Sequence, residues 1–436
     1  MAAPATLDGS TLEGGGQLLR VAIGVSSLTK IPLQIHNIRG KRTRGGGLRN
    51  QHATSVEWLG NVTNAVMTGV RVKSTEITFA PNTTVRKIGK PLPKLLYSFG
   101  QEAIHERLDY HHRMLPDGTS AFQTVIAQKT PGSIGLVFQA LLPYLVYAGS
   151  SLSAEPEDPI PIRIAITGGT NAPGAPSYEY MSQVMLPMFS LVGIPSISAT
   201  LDSRGWGSGN QAMGSITFTI KPLPLYSCVP AFTLDERGDI EHVEATIVAP
   251  KSYETEFRNE LSKVLSTHHE TLFGTRSPSI NIEFEISGYS KGIYLILVAT
   301  TTTKVKLGSD WQYDLDQKGN GLLDVVPTTV KRAVDKLVTE VKHGGCVDEY
   351  MRDQLVVFQA LAKGKGHIDG GLTADSKPLQ PSLHALTAQW VASEMVGAKF
   401  NNNKGTYDGI GLAAGEIYAE RKSLARLSEK LKSLKV

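Results

Sequence analysis

Residues 39–52 read Arg-Gly-Lys-Arg-Thr-Arg-Gly-Gly-Gly-Leu-Arg-Asn-Gln-His, with five basic side chains (Arg39, Lys41, Arg42, Arg44 and Arg49), three consecutive glycines and no acid. An alternating apolar run, Ile31 to Ile38, precedes the stretch, and a helix-like run, Ala53 to Val66, follows it. A strand that opens into a glycine-rich, arginine-bearing turn and then a helix builds an anion site. Glycine lets the backbone come close, arginine forks onto phosphate oxygens, and the helix N-terminus adds a positive partial charge. The ligand indicated is a polyphosphate or a nucleic-acid phosphate. A solvated basic loop has the same composition.

Elements able to hold such a site recur along the chain as a glycine or proline turn followed by a helical run. Glu13-Gly-Gly-Gly-Gln17 leads into Leu18–Leu28, Gly45-Gly-Gly47 into the helix from Gln51, and Pro131-Gly-Ser-Ile-Gly135 into Leu136–Tyr147. Gly168-Gly-Thr-Asn-Ala-Pro-Gly-Ala-Pro176 leads into Tyr178–Val192, and Pro381-Ser-Leu-His384 into a helix through Val396. Strand-like runs at Ile31–Ile38, Glu76–Phe79, Ile162–Thr167, Ser215–Ile220 and Asn281–Ile286 lie between them. Strands alternating with helices predict an α/β (α+β) layered protein built from repeated β/α units. Residues 82–130 are polar, His-rich and weakly periodic, and read as an irregular insertion. From 222 to 342 the texture changes: His242–Val248 and Tyr294–Thr300 flank a helical run, Tyr253–His268, and another helix begins near Thr328. This reads as an inserted α/β domain between two parts, 1–221 and 343–415, of a larger catalytic domain. Residues 416–436 read as a basic helical tail, striped by Leu424, Leu427, Leu431 and Leu434.

The 436 residues exceed one ordinary core. The net charge is +4, and six basic against two acidic residues from Glu420 onward account for all of it, so residues 1–419 are neutral. A nucleic-acid partner is therefore argued from the cluster at 39–49 and not from global charge. Two cysteines, Cys228 and Cys346, make no disulfide framework and fit a reducing intracellular compartment. The N-terminal residues lack a signal-peptide pattern, and no apolar run reaches the ~20 residues of a membrane span. The pairs His111-His112 and His268-His269 lack further ligands at zinc spacing and read as surface residues. Neither a Walker A motif nor a GxGxxG in a βαβ setting is present.

Four segments taken together resemble the RNA 3′-terminal phosphate cyclase family: Leu7-Asp-Gly-Ser-Thr-Leu-Glu-Gly-Gly-Gly-Gln-Leu-Leu-Arg20; Ile38-Arg-Gly-Lys-Arg42 with Leu48-Arg-Asn-Gln-His52; 168–176; and Glu349-Tyr-Met-Arg-Asp-Gln-Leu355 with Pro381-Ser-Leu-His-Ala-Leu-Thr387. Glycine-rich strings are cheap singly, but these stand in family order over nearly the whole chain. The resemblance implies repeated units, each a four-stranded sheet with two helices as in enolpyruvyl transferases, with a smaller domain inserted late. It implies ATP-dependent conversion of an RNA 3′-phosphate to a 2′,3′-cyclic phosphate, with Mg²⁺ or Mn²⁺ as metal. His384 matches the nucleophile that carries AMP, and Glu13 the metal ligand beside the phosphates. Arg20, Arg39, Arg42 and Gln51 match contacts to triphosphate or RNA phosphate, Arg44 lies in a loop with one extra residue, and Gln139 matches a further polar position. Pro176 and Tyr350 match the residues that sandwich adenine, with Asp353 and Gln354 placed for the ribose. The segment Arg204-Gly-Trp-Gly-Ser-Gly-Asn-Gln-Ala-Met-Gly214 departs from the family, lacking its proline and triple glycine, which puts handling of the RNA end in doubt. The implied partner is RNA with a 3′-phosphate end, with no membrane and no obligate protein partner evident, and the implied location is nuclear. A non-catalytic cyclase-like protein of ribosome biogenesis is the alternative.

Overall fold

The computed structural model describes residues 4–42, 45–82, 111–114, 120–148, 157–207, 212–277, 279–313 and 324–418. Arg44, residues 83–110 of the His-rich stretch and the leucine-striped tail from 419 lie outside them.

β1 (Ala5–Asp8) and β2 (Leu33–His36) run parallel, so the chain must cross over between them, and it does so through α1 (Gln17–Thr29). After α2 (Asn50–Thr63), the antiparallel pair β3 (Val66–Thr68) and β4 (Ile77–Ala80) completes a sheet ordered β1-β2-β4-β3. An edge strand, β5 (His111–Met114), precedes the second cycle. That cycle runs β6 (Ser120–Ala127), α3 (Ile134–Ala148), β7 (Ile162–Gly168), α4 (Tyr178–Tyr180), a π-helical turn (Met181–Met185) and α5 (Leu186–Leu191). It closes with β8 (Ile197–Ser203) and β9 (Gly214–Ile220). Its sheet, β5-β6-β7-β9-β8, repeats the first topology with the extra edge strand. The end of the stretch read as irregular is thus a strand, Ser120–Ala127, paired with β7.

The third cycle opens with β10 (Thr233–Leu234), and a separate sheet follows before it resumes. Between lie β11 (Ile240–Ala249), α6 (Glu254–Thr267), α7 (His269–Phe273), β12 (Ile280–Ile286), β13 (Ile293–Thr301), β14 (Lys306–Tyr313) and α8 (Val325–His343), with strand order β12-β11-β13-β14. The cycle then continues through α9 (Glu349–Gln354), α10 (Val356–Leu361), β15 (Lys363–Ile368), α11 (Leu383–Val396), β16 (Lys399–Asn401) and β17 (Thr406–Ile410), giving β10-β15-β17-β16. β10 pairs in parallel with β15, so three cycles share one strand order.

Strand faces alternate, as in β2 and β7, because the inner face meets helices and the outer meets water. α1 is buried along its whole length and packs on α2, α3 and α11. That central placement matters for function, because α1 carries Arg20 and starts directly after the Glu13 turn. β13 is buried at all nine positions. The sheet it belongs to meets the second cycle: a Cβ at Gly308 of β14 would lie 2.8 Å from Tyr180 and Val184. Among the described residues no helix is long and apolar enough to cross a membrane.

Candidate active site

α11 begins at Ser382, whose hydroxyl accepts from the Ala385 amide at 3.3 Å, and His384 stands in its first turn. Thr387, one turn on, donates to the Leu383 carbonyl at 2.7 Å and accepts from the Glu13 amide at 3.2 Å. A threonine in the histidine's own motif therefore sets the height of the Glu13 turn. His384 Nε2 lies 3.6 Å from Glu13 Oε1, and Arg42 forms an ion pair with the same oxygen. Glu13 is nearly closed off, its side chain 6% exposed, while His384 is 48% exposed. Burial pushes the His384 pKa below the usual histidine range; the Glu13 carboxylate pulls it up, and Arg20 and Arg42 push it down. The net direction leaves a neutral imidazole at pH 7. A Cβ at Gly15 would run into the Glu13 carboxylate and the Arg42 guanidinium, so glycine there leaves room for the two groups to pair over the turn.

Arg20 points from α1 into a small cavity shared with Gln17, Gln139, Asp353 and Gln354. Its Nε donates to Gln139 Oε1 at 2.7 Å and its Nη2 to Gln17 Oε1 at 2.5 Å. Burial lowers the Arg20 pKa to about 10, opposed by Asp353 and Glu13, which still leaves it a full cation at neutral pH. Burial raises Asp353 to about 7 despite Arg20, so both protonation states are populated there near neutrality. Gln354 Nε2 donates to Asp353 Oδ1 at 2.5 Å.

Two buried groups here lie in the segments that carry the resemblance but outside the expected set of site residues. Gln17 accepts from Arg20 through Oε1, and its own Nε2 finds no partner. His52 accepts from the Arg49 amide through Nδ1 at 3.2 Å, and a Cβ at Gly16 would lie 2.8 Å from its Nε2. Burial and the cations Arg20, Arg39 and Arg49 drive the His52 pKa down to about 3, so it is a neutral packing and donor group among arginines.

Arg39 donates from Nη1 to the Gly47 carbonyl at 3.2 Å, and burial, then Arg49 and Arg42, lower its pKa. Gln51, in the first turn of α2, accepts from the Ser133 amide at 3.2 Å and so ties the first cycle to the head of α3. Gly135 in that head packs under Pro176, where a Cβ would lie 3.2 Å from the Pro176 Cβ. Tyr350 is 38% exposed; Tyr180, four residues past Pro176, meets its ring edge-on at 5.8 Å. The Lys336 ammonium of α8 lies 3.6 Å from the Tyr350 ring centre. Lys336 is a cation that no motif pointed to, brought in by the separate sheet's long helix.

Arg204 donates to Asn171 Oδ1, Glu179 Oε1 and Glu285 Oε1, each at 2.7 Å. Trp206 Nε1 donates to the Ser287 carbonyl at 3.3 Å. The described start of the loop that departs from the family therefore holds two sheets together, β7/β9 against the end of β12. Residues 208–211 lie outside the described residues.

Among the described residues no three metal-ligating side chains cluster. One orphan stands out: Glu13 Oε2 is buried with no hydrogen-bond partner. A lone carboxylate fits a hard divalent cation that takes its other ligands from phosphate oxygens and water.

The family model described as RNA 3′-terminal phosphate cyclase matches residues 11–402. The chain is 29% identical over 402 residues to a Dictyostelium discoideum protein described as a probable RNA 3′-terminal phosphate cyclase, covering 90% of this chain and 77% of that protein. It is 29% identical to the RNA 3′-terminal phosphate cyclase of Korarchaeum cryptofilum over 90% of this chain and 92% of that one. With the Drosophila melanogaster RNA 3′-terminal phosphate cyclase the identity is 26%, over 91% of each chain. A match over residues 11–402, which takes in all three repeated cycles, makes the chain a member of the RNA 3′-terminal phosphate cyclase family.

Proposed function

We propose that the protein closes RNA 3′-phosphate ends to 2′,3′-cyclic phosphates at the expense of ATP, through an AMP group carried on His384. The observation that carries this reading is a neutral, half-exposed histidine at the head of a helix, 3.6 Å from a buried carboxylate and surrounded by arginines. A phosphate monoester is a poor electrophile because its oxygens leave badly, so it must first be joined to a good leaving group. His384 Nε2 attacks the α-phosphorus of ATP, the bond to the bridging oxygen breaks, and pyrophosphate departs with that electron pair. An oxygen of the RNA 3′-phosphate then attacks the same phosphorus, breaking the N–P bond and restoring the imidazole. Last, the neighbouring 2′-hydroxyl oxygen attacks the activated RNA phosphorus, loses its proton to water and expels AMP. The 2′-oxygen confines the acceptor to RNA.

Arg20, Arg42 and Arg39 are cations poised for charge that spreads over phosphoryl oxygens during transfer. Arg20 is pre-set by Gln17 and Gln139, so little ordering is left to do on binding. Pro176 and the exposed Tyr350 take the two faces of adenine, and Asp353 and Gln354 its ribose. Glu13, through its unpaired Oε2, would hold Mg²⁺ or Mn²⁺, which supplies charge neutralisation at the phosphates when bound. The non-catalytic reading leaves a neutral histidine beside a buried carboxylate without work to do. With RNA ends as substrate and a basic tail, we assign the nucleus as the place of action; a tagged chain excluded from nuclei contradicts that assignment. His384→Ala is expected to fold normally and to lose at least about a thousandfold in cyclisation rate. Retained activity would end the covalent route.

A further inference from the structure

The turn joining β3 to β4, residues 69–75, has no part in the site described so far, yet it is fastened to the arginine loop beside it. The Ile38 amide donates to the Thr75 carbonyl at 2.9 Å, Leu48 to Ser74 at 2.9 Å, and Lys73 to Leu48 at 2.8 Å. Gly47 is the buried contact: it adopts φ +78°, and a Cβ there would run into the Lys73 carbonyl. Its own carbonyl accepts from the Arg39 guanidinium. Arg39, Gly47 and Lys73 therefore form one continuous line from the buried site to the surface.

The turn carries Arg71 and Lys73, both exposed, and 69–75 contains no acid. The next residue, Glu76, accepts from Gln34 Nε2 at 2.8 Å. Lys73 and Arg39 are both non-glycine residues held at left-handed φ, +70° and +55°. Such conformations are disfavoured and persist where the surroundings impose them. Arg71 and Lys73 thus stand exposed on a turn that backbone hydrogen bonds fasten to the loop bearing Arg39, Lys41 and Arg49.

We propose that Arg71 and Lys73 bind the sugar–phosphate backbone of the RNA strand just upstream of its 3′ end. A free nucleotide brings its charge in one cluster, which the inner arginines meet. A strand carries a charge on every nucleotide, and cations strung outward from the centre match that spacing of charge and not a single triphosphate. The inference rests on the cyclase reading and names the path of its acceptor.

The test uses full-length protein with Arg71→Ala, Lys73→Gly and the pair. Lys73→Gly removes the charge while relieving a left-handed position, so its thermal midpoint should hold or rise. A short 3′-phosphorylated oligoribonucleotide and a 3′-phosphorylated dinucleotide are titrated over a series of salt concentrations. The expected result is weaker oligonucleotide binding by the pair variant. Its log K against log salt slope should flatten by about 0.7 per lost single-strand contact. Dinucleotide binding and labelling of the protein by ATP alone should stay at wild-type levels. An unchanged slope for the oligonucleotide, or equal losses for dinucleotide and oligonucleotide, overturns the proposal. If wild-type protein cyclises RNA while the pair variant keeps its slope, only this inference fails; if wild-type protein neither labels with ATP nor binds either RNA, the cyclase reading fails with it.

Discussion

At His384 two opposing sets of charges decide the chemistry. Burial, Arg20 and Arg42 favour the neutral ring, while Glu13 favours the imidazolium. Nucleophilic attack needs the neutral form, so the rate of self-adenylylation should fall on an acid limb lying below the usual histidine range. Arg42→Gln removes a cation that lowers the histidine and should move that limb to higher pH. Glu13→Gln removes the anion that raises it and should move the limb to lower pH, with a loss of metal response besides. Single-turnover labelling across pH 4–8 reads both shifts, and two limbs moving in the same direction would contradict the assignment of charges.

The elements around that histidine explain what could be read in advance. The helices after glycine turns were legible, since runs such as Leu136–Tyr147 and Leu18–Leu28 carry their apolar content locally; α3 spans Ile134–Ala148 and α1 spans Gln17–Thr29. β15 was not legible: Lys-Gly-Lys-Gly-His-Ile offers little strand propensity, and it exists because Gly366 lets the chain pass against Phe232 and Tyr407. The segment read as one helix from Tyr178 is broken by a π-helical turn, which local pattern does not encode. Within the site, motif residues were legible one by one, but their mutual contacts were not. Gln139 against Arg20 and Thr387 under Glu13 depend on helices distant in sequence. Thr387→Val should cost about 1 kcal/mol of stability through the lost hydrogen bonds. Its larger effect should be on labelling rate, up to about a hundredfold, because the carboxylate loses its fixed height. Thermal unfolding and single-turnover labelling separate the two, and a rate loss no greater than the stability loss explains would count against a positioning role.

At the scale of the whole molecule, the inserted sheet meets the second and third cycles at Asp348, which accepts from the Tyr180 hydroxyl and the Gly308 amide, and the sheet and its long helix carry two further acids. Asp310 of β14 is raised to about 6 and Glu340 of α8 to about 7, both chiefly by burial. A carboxyl raised in the folded state holds its proton longer than the unfolded chain does. It therefore penalises folding as pH climbs from the unfolded value, near 4, to the folded one, and the penalty is fully present above that. His52, held down near 3, acts in the opposite sense, destabilising as pH falls below about 6.5. Asp310→Asn and Glu340→Gln should thus flatten the decline in thermal midpoint expected of the parent between pH 5 and 7, and an unaltered pH dependence would argue against these groups. Arg204→Ala leaves Glu179, 3% exposed, without its guanidinium and should cost about 3–5 kcal/mol. Calorimetry should show the loss as lower cooperativity between sheets, with labelling at His384 kept below the transition; intact stability would show that the clamp carries no weight.

The central claim is the covalent histidine. The most direct measurement is mass spectrometry of the purified protein after incubation with ATP and Mg²⁺ or Mn²⁺, without RNA. The expected result is one added AMP on the peptide bearing His384, acid-labile and discharged when 3′-phosphorylated RNA is added. A folded protein that gains no AMP with either metal, or gains it elsewhere than His384, would contradict the account.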